Sequence, residues 1–511
     1  MLLVQDFLQE SAQRTPDKVA LICDGQRLTY AQVDAMADRL ANALRDHGVQ
    51  RGDRVVIFLP NSVEAAVSIF AVLKAGAVFV VINATTKPQK LAYILNNSRA
   101  TALITWDRRA DVAAQMKAQV PSLKFAVLTG KKAGERAALR EDFLAFDEIQ
   151  AHYPATRPPR LCIDQDLACL IYTSGSTGEP KGVMSAHSNV VAAASSIIQY
   201  LQNVPEDIII NVLPLSFDYG LYQLLMAFKF GGTLVLERSF AYPAQILRRM
   251  EEERVTGFPG VPTIFAILLQ MDLSPYDLSS LRYMTNTAAA LPPSHIQQLR
   301  EKFPWVTLYS MYGLTECKRV SYLPPEELDR RPASVGIPIP NSEVWIVDEE
   351  GNRLGPRQIG ELVVRGAHVM RGYWEAPEAT AERYRPGPLP GERVLYTGDL
   401  FWMDEDGFLY FVGRKDDIIK SRGEKVAPKE IENVLYEIPG VVEAAVIGVP
   451  DPILGEAIKA FVVLDGVTLT ERDILRHCRA RLEDFMVPQY VEIRDSLPKT
   501  ASGKIKKTAL R

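Results

Sequence analysis

The amino-acid sequence alternates short apolar runs rich in β-branched residues with longer amphipathic stretches. The runs lie at residues 19–23, 54–59, 77–82, 100–105 and 124–129. Gly48 marks the end of a predicted helix whose apolar face collects Val33, Met36, Leu40, Ala43 and Leu44. Because the alternation continues to residue 312, it predicts an α/β fold with largely parallel sheets.

The pattern changes after about residue 335, where short apolar runs are separated by turns rich in Gly and Asp. Such runs predict a meander or small barrel over residues 335–413. The strand–helix alternation returns from residue 417, so we expect a domain boundary near Gly413–Asp416. Residues 130–160, which are rich in charge and later in proline, are expected to form a surface excursion.

Charge and composition exclude several classes of protein. The 58 Lys and Arg residues and 62 Asp and Glu residues give a net charge of −4, which argues against a nucleic-acid binder or a polybasic membrane protein. The N-terminus lacks the basic and apolar regions of a secretory signal, and Lys74 interrupts the most apolar segment, residues 65–86. The five cysteines form no C-x-x-C pair. We therefore expect no membrane insertion and a cytoplasmic location.

The most informative segment is residues 170–184, with the sequence LIYTSGSTGEPKGVM. Its glycines allow backbone amides to turn toward an anion, and its hydroxyl groups and lysine add donors and positive charge. The segment therefore predicts phosphate binding, with a flexible polar loop as the alternative. It matches neither the Walker spacing nor the G-x-S-x-G elbow of hydrolases.

The segment YTSGSTGEPKG closely resembles the phosphate loop of the adenylate-forming superfamily, which includes acyl-CoA synthetases, nonribosomal peptide adenylation domains and luciferases. Companion motifs follow in order over essentially the whole chain: MYGLTE at 311–316, GELVVRG at 360–366, RGYW at 371–374, YTGDL at 396–400, GRKDDIIKSRGEKVAP at 413–428 and PKTASGKIKK at 498–507. The resemblance implies a standalone member with a large N-terminal domain, residues 1–413. That domain would contain two sheet-bearing α/β lobes and a barrel-like lobe at about 335–413. A hinge at 414–416 and a small, mobile α+β C-terminal domain, residues 417–511, would follow.

The resemblance also implies a reaction in two halves. A carboxylate attacks the α-phosphate of ATP, giving an acyl adenylate and pyrophosphate, and a thiol then displaces AMP. The implied catalytic residues are Lys504, Thr315 and Glu316, with Glu316 also holding Mg²⁺. The implied ATP-binding residues are Thr173, Ser174, Gly175, Ser176, Thr177, Gly178, Lys181, Thr287, Ala288, Ala289, Met311, Tyr312, Gly313, Asp399, Phe411 and Arg414.

Within this set the resemblance implies distinct roles. Tyr312 would stack on adenine, and Asp399 would accept the ribose hydroxyls with help from Arg414. Rotation about Asp416 would exchange Lys504 for a loop around Lys420 and Gly423, and so open a route for the thiol. A luciferase-like monooxygenase, a non-catalytic nucleotide-binding descendant and a phosphotransferase remain alternatives to the acid–thiol ligase.

The segment PLSFDYGLYQ, residues 214–223, aligns with the start of the family's acyl pocket. Amino-acid-activating members have an aspartate at the position of Asp218, where it pairs with the α-ammonium group. We therefore expect a small or medium amino acid, and a phosphopantetheinyl carrier protein in trans as thiol acceptor. The alternatives are a pairing of Asp218 with a basic neighbour such as Arg319, and a non-amino carboxylic acid with CoA as acceptor. The candidate substrate pocket comprises Asp218, Tyr219, Tyr222, Phe258, Met284, Asn286, Arg319 and Val320.

Overall fold

The computed structural model describes residues 2–174, 179–287, 289, 291–421, 424–451, 455–500 and 503–510. The largest β-sheet has its strands in the order Ile337–Pro338, Ser321–Tyr322, Thr307–Tyr312, Tyr283–Asn286, Gly257–Gly260, Ile208–Asn211, Thr233–Leu236, Val19–Cys23 and Gln26–Thr29. Its central strands, from 307–312 to 19–23, are parallel, and antiparallel strands flank them at both edges. The predicted parallel arrangement is confirmed here.

A second sheet has the strand order Phe143–Ala145, Phe125–Thr129, Ala100–Trp106, Arg54–Phe58, Val78–Val81, Leu167–Ser174 and Pro180–Ala186. All neighbouring pairs are parallel except the last, in which the glycine-rich segment connects two antiparallel strands. The expectation of a surface excursion at 130–160 is wrong for part of that range. Residues Phe143–Ala145 form the edge strand, and Phe146, which follows it directly, is buried.

The helices within the described residues are Asp6–Arg14, Tyr30–Asp46, Val63–Lys74, Pro88–Asn97, Ala110–Gln119, Ala133–Ala137, Phe146–His152, His187–Leu201, Asp218–Phe230, Pro243–Glu252, Pro262–Gln270, Pro293–Lys302, Pro377–Arg383, Pro428–Tyr436 and Glu471–Arg479. The predicted helix before Gly48 is confirmed. Thr29 and Gln32 form its capping box, and Gly48 follows its end with a φ of 85°.

The apolar segment at residues 65–86 is part of the hydrophobic core. Every residue of Val63–Lys74 except Glu64 is buried, and Phe70 stacks on Phe228 with ring centroids 5.2 Å apart. The buried Lys74 ammonium lies 2.6 Å from Asp34 and 2.7 Å from Asp38. A lysine is tolerated there because both partners are acidic. Among the described helices, none is long and apolar enough to cross a membrane.

Two smaller sheets complete the fold. One is antiparallel, with strands Ser342–Val347, Gly360–Gly366, Arg393–Met403, Tyr384–Pro386 and Leu409–Arg414. The other contains Glu424–Val426, Ile419–Ser421, Gly455–Leu464, Val441–Asp451 and Tyr490–Ile493, and the helices 428–436 and 471–479 contribute to its core. The α/β class, with a large N-terminal part and a smaller C-terminal part, is as predicted.

Candidate active site

The candidate active site is a cavity of about 770 Å³ at the carboxyl ends of strands from both large sheets. Its wall includes Ile171, Val81 and Met311, which lie at or near such strand ends, and Pro214, which follows another. Ligands in α/β proteins bind preferentially at this edge of the sheet. The site thus forms where the parallel topology brings connecting loops from the two sheets together.

The loop of residues 313–320 places several predicted residues in the wall of the cavity. The strand Thr307–Tyr312 returns antiparallel as Ser321–Tyr322, and Thr315 and Glu316 lie between them in the cavity wall. The turn needs glycine at position 313, because a Cβ there would lie 2.3 Å from the carbonyl oxygen of Lys318. Met311, Tyr312 and Gly313, for which the sequence predicts ATP binding, also border the cavity.

Three side chains form a polar corner of the cavity. The Tyr312 hydroxyl donates a hydrogen bond of 2.6 Å to Oδ2 of Asp399, and Nε of Arg414 lies 3.3 Å from Oδ1. Asp399 and Arg414 face each other on adjacent strands, and Phe411 also borders the cavity. Burial raises the pKa of Asp399, and Arg414 opposes that shift. The corner offers an aromatic ring beside a carboxylate, a combination that suits a nucleoside.

Glu316 is held by an aromatic residue of the RGYW motif. The Tyr373 hydroxyl donates a hydrogen bond of 2.6 Å to Oε1 of Glu316. Nζ of Lys181 lies 5.7 Å from the centre of the Tyr373 ring, and Lys181 pairs across the hairpin with Thr173. Lys181, which follows the glycine-rich segment, therefore lies near the tyrosine that binds the carboxylate of Glu316.

Lys504 reaches this cavity from the C-terminal part of the chain. Its Nζ lies 6.0 Å from the centre of the Phe217 ring. Thr500 accepts a hydrogen bond from the Lys504 amide through Oγ1, at 3.2 Å. Gly503, with a φ of 81°, fits closely against Val261 and Thr263. Burial lowers the pKa of Lys504, whereas the nearby Asp218 raises it. Lys504 thus borders the same cavity as Thr315 and Glu316 of the MYGLTE segment.

A second cavity, of about 900 Å³, lies between the N-terminal and C-terminal parts. It shares Thr173, Glu316, Arg414 and Lys504 with the first cavity. Lys90 and Lys506 also border both cavities. Charged side chains that line only the second include Lys181, Arg383, Asp416, Asp417, Lys429, Glu432 and Lys507. The predicted hinge residue Asp416 therefore lies at a passage that leads to Lys504.

Of the residues predicted to form the substrate pocket, only one borders the cavity that the described residues form. Asp218 borders the first cavity, whereas Tyr219, Tyr222, Phe258, Met284, Asn286, Arg319 and Val320 are buried outside the wall that the described residues form. Tyr219 hydrogen-bonds Thr285, and Asn286 donates to the Ala289 carbonyl at 3.1 Å. Thr287 is buried, and Ala289 borders the cavity.

The sequence offered Arg319 as a basic neighbour that could pair with Asp218. That assignment is wrong, because Lys318 occupies this place. Nζ of Lys318 lies 3.4 Å from Oδ2 of Asp218, and both side chains are almost fully buried. The Lys318 ammonium also lies 4.4 Å from the centre of the Tyr222 ring. Because Asp218 already faces a cation, its carboxylate gives no specific reason to expect a substrate ammonium group.

Some predicted residues lie outside the described part of the chain: Gly175, Ser176, Thr177, Gly178, Ala288 and Gly423, together with the side chains of Ser174 and Lys420. Conversely, the sequence reasoning did not select Phe217, Lys318 or Tyr373. Phe217 lies in the PLSFDYGLYQ segment and Tyr373 in the RGYW motif. The membership of these motifs is the signal by which both residues could have been selected. Nothing in the sequence alone distinguishes Lys318 from Arg319.

The fold and the cavity define a nucleotide-binding enzyme with a lysine supplied by its C-terminal part. A family model described as AMP-binding enzyme matches residues 8–374, and one described as AMP-binding enzyme C-terminal domain matches residues 430–504. The chain belongs to the AMP-binding enzyme family and is an adenylate-forming, AMP-forming acid–thiol ligase.

Similar proteins act on different kinds of acid. A long-chain-fatty-acid–CoA ligase of Bacillus subtilis is 34% identical, over 98% of this chain and 93% of that protein. A feruloyl-CoA synthase of an Amycolatopsis species is 36% identical, over 98% and 96% of the two chains. The crystal structure of the anthranilate CoA ligase AuaEII in complex with anthranoyl-AMP matches with a TM-score of 0.91 and 29% identity, over 100% and 96%.

Proposed function

We propose that this chain joins an acyl or aryl carboxylic acid to CoA through an acyl-adenylate intermediate, with ATP as the energy source. The observation that carries the proposal is the convergence of Lys504, Thr315 and Glu316 on one cavity that also contains Asp399. The relatives named above, which are CoA ligases for fatty, feruloyl and anthranilate substrates, support CoA as the thiol. ATP and CoA are both supplied in the cytoplasm, where we place the reaction.

In the first half-reaction, Asp399 accepts the ribose hydroxyls and Tyr312 lies against the purine. The hairpin that contains Thr173 and Lys181 holds the β- and γ-phosphates. Lys504 lies where its charge stabilises the negative charge that develops on the α-phosphate as the substrate carboxylate attacks. Positioning is the main task, because the substrate itself is the nucleophile.

Glu316 would hold Mg²⁺. Its carboxylate borders the cavity, and Tyr373 fixes one of its oxygens. Within the described residues no cluster of three or more His, Cys, Asp or Glu forms a metal cage. This suits Mg²⁺, which is usually bound by one or two carboxylates together with phosphate oxygens and water. When bound, the ion would neutralise charge on the ATP phosphates.

In the second half-reaction, we propose that residues 417–511 rotate about a hinge at 414–416 relative to residues 1–413. The cavity near Asp416, with its surplus of lysines and arginines, suits the phosphates and pantetheine arm of CoA. Rotation would withdraw Lys504 and bring the segment around Lys420 and Gly423 toward the acyl adenylate. Exchange of catalytic groups by domain movement allows one site to perform two steps.

The expected amino-acid substrate and carrier protein are not favoured. Both were expected because Asp218 could pair with the ammonium group of an amino acid. Lys318 already pairs with the Asp218 carboxylate. The relatives that support a thiol acceptor are named as CoA ligases, so a non-amino acid and CoA are the better supported pair.

The proposal is tested by pyrophosphate exchange across a panel of fatty, cinnamic, benzoic and amino acids, followed by CoA-thioester formation with the active acids. We expect exchange with at least one non-amino acid and a thioester that depends on CoA. Exchange confined to amino acids would restore the carrier-protein alternative. Formation of ADP in place of AMP would overturn the proposed reaction.

A further inference from the structure

Arg319 is a buried cation that lacks a counter-ion among the described residues. Its side chain is among the largest that are fully buried, with 2% relative exposure. The guanidinium carbon lies 5.3 Å from the centre of the Tyr219 ring, and Nε has no hydrogen-bond acceptor within the described part of the chain. Leaving a guanidinium in this environment is costly, because burial removes its hydration.

The charged side chains next to Arg319 do not balance its positive charge. Asp218 is the carboxylate of this cluster, and it already lies 3.4 Å from Lys318. The cluster of Asp218, Lys318 and Arg319 therefore contains one acid and two basic groups. The hydroxyl of Tyr222, whose ring lies beside Lys318, is also buried and has no hydrogen-bond partner among the residues that the structure describes. Within the described part of the chain, two donors in this region are thus unsatisfied: Nε of Arg319 and the Tyr222 hydroxyl.

This cluster lies directly behind the wall of the first cavity. Asp218 and Met311 belong to that wall. Sδ of Met311 accepts a hydrogen bond of 2.9 Å from the hydroxyl of Tyr200, which is itself close to Arg319. Phe217, next to Asp218 in the chain, lies beside the Lys504 ammonium. An acid whose reacting carboxylate meets Lys504 would therefore extend past residues 217–218 toward Arg319.

We propose that the acid substrate carries a second carboxylate, remote from the reacting one, and that this group pairs with Arg319. The proposal rests on the proposed ligase function and names the class of acid, a dicarboxylic acid. A carboxylate fits better than a neutral hydroxyl group, because the Arg319 guanidinium stays protonated and the carboxylate of the cluster, Asp218, already faces Lys318. Arginine also presents a planar fork of donors that matches the two oxygens of a carboxylate. Movement of Met311 or of the Arg319 side chain would bring the two groups into contact.

The first test compares dicarboxylic acids with monocarboxylic acids of equal carbon number in pyrophosphate exchange. We expect kcat/KM to favour the best dicarboxylic acid by at least about tenfold, the value of one charge-assisted hydrogen bond. Preference for the monocarboxylic acid throughout the series would overturn the inference and leave the ligase proposal intact. Silence with every carboxylic acid would overturn the ligase proposal, and this inference with it.

The second test uses Arg319→Met and Arg319→Lys. Arg319→Met should lower kcat/KM for the dicarboxylic acid by about 10- to 100-fold, while the value for the matched monocarboxylic acid stays unchanged or rises. Arg319→Lys, which keeps the charge but not the fork of donors, should have an intermediate effect. Equal losses with both acids would overturn the assignment.

Thermal unfolding separates this role from a structural one. Because Arg319 forms no ion pair with the described residues, Arg319→Met should keep or raise the Tm. The matched control is Arg331→Met, at a largely buried arginine that pairs with Glu327, Asp404 and Asp406 outside the cavity. This control should lower the Tm without changing acid preference. An equal fall in Tm for Arg319→Met would show a structural role and overturn the inference.

Discussion

Replacement of Lys504 by alanine removes the ammonium group that the C-terminal part places in the cavity. At a separation of about 4 Å and an effective dielectric constant of about 20, two unit charges interact by about 4 kcal/mol. Charge on the α-phosphate develops only in part during attack, so the loss in adenylation rate should be about 10²- to 10³-fold, as for other preorganised donors. The neighbours of Lys504, Phe217 and Thr500, do not require its charge for packing.

Two assays locate the loss in one half-reaction. Pyrophosphate exchange should fall by that factor in Lys504→Ala, whereas formation of CoA thioester from a supplied acyl adenylate should stay within about threefold of the original rate. Lys507→Ala is the control from the same run of lysines, because Lys507 pairs with Glu432 at 2.7 Å. It should leave exchange nearly unchanged. Equal losses in both half-reactions for Lys504→Ala would refute the reasoning.

Two further predictions concern the buried carboxylates. Asp399→Asn should weaken AMP binding by about 10- to 100-fold in calorimetry, because neutral hydrogen bonds replace charge-assisted ones to the ribose; a change below twofold would contradict the nucleoside assignment. Asp218→Asn leaves Lys318 without its anion and should cost about 3–5 kcal/mol of folding stability at low pH. Burial lowers the pKa of Lys318 to about 7, and Asp218 opposes that shift. Removal of Asp218 lowers this pKa further, so the loss is full at low pH and shrinks as pH rises through 7; an equal loss of Tm at pH 6 and pH 9 would contradict the pairing.

Periodicity in the sequence was sufficient to predict the main layers of the fold. The helix Tyr30–Asp46 has its apolar face, its capping box and its terminal glycine all encoded within about 20 residues. The edge strand Phe143–Ala145 was missed because it has three residues and is surrounded by charged segments. So short a run has no recognisable alternation, and its pairing with Phe125–Thr129 depends on a contact that is distant in sequence.

The acid site could not be predicted to the same depth, because its chemistry depends on which of two adjacent cations faces Asp218. Lys318 adopts a left-handed φ of 67°, and the close approach of its carbonyl to Gly313 fixes the path of the turn. That path directs Lys318 to Asp218 and leaves Arg319 against Tyr219 without a counter-ion among the described residues. The same turn presents Thr315 and Glu316 to the cavity. Under the two proposals, nucleotide recognition and acid selectivity depend on one short loop. The family motif would provide the nucleotide contacts, and the two basic residues after it would determine which acid is bound.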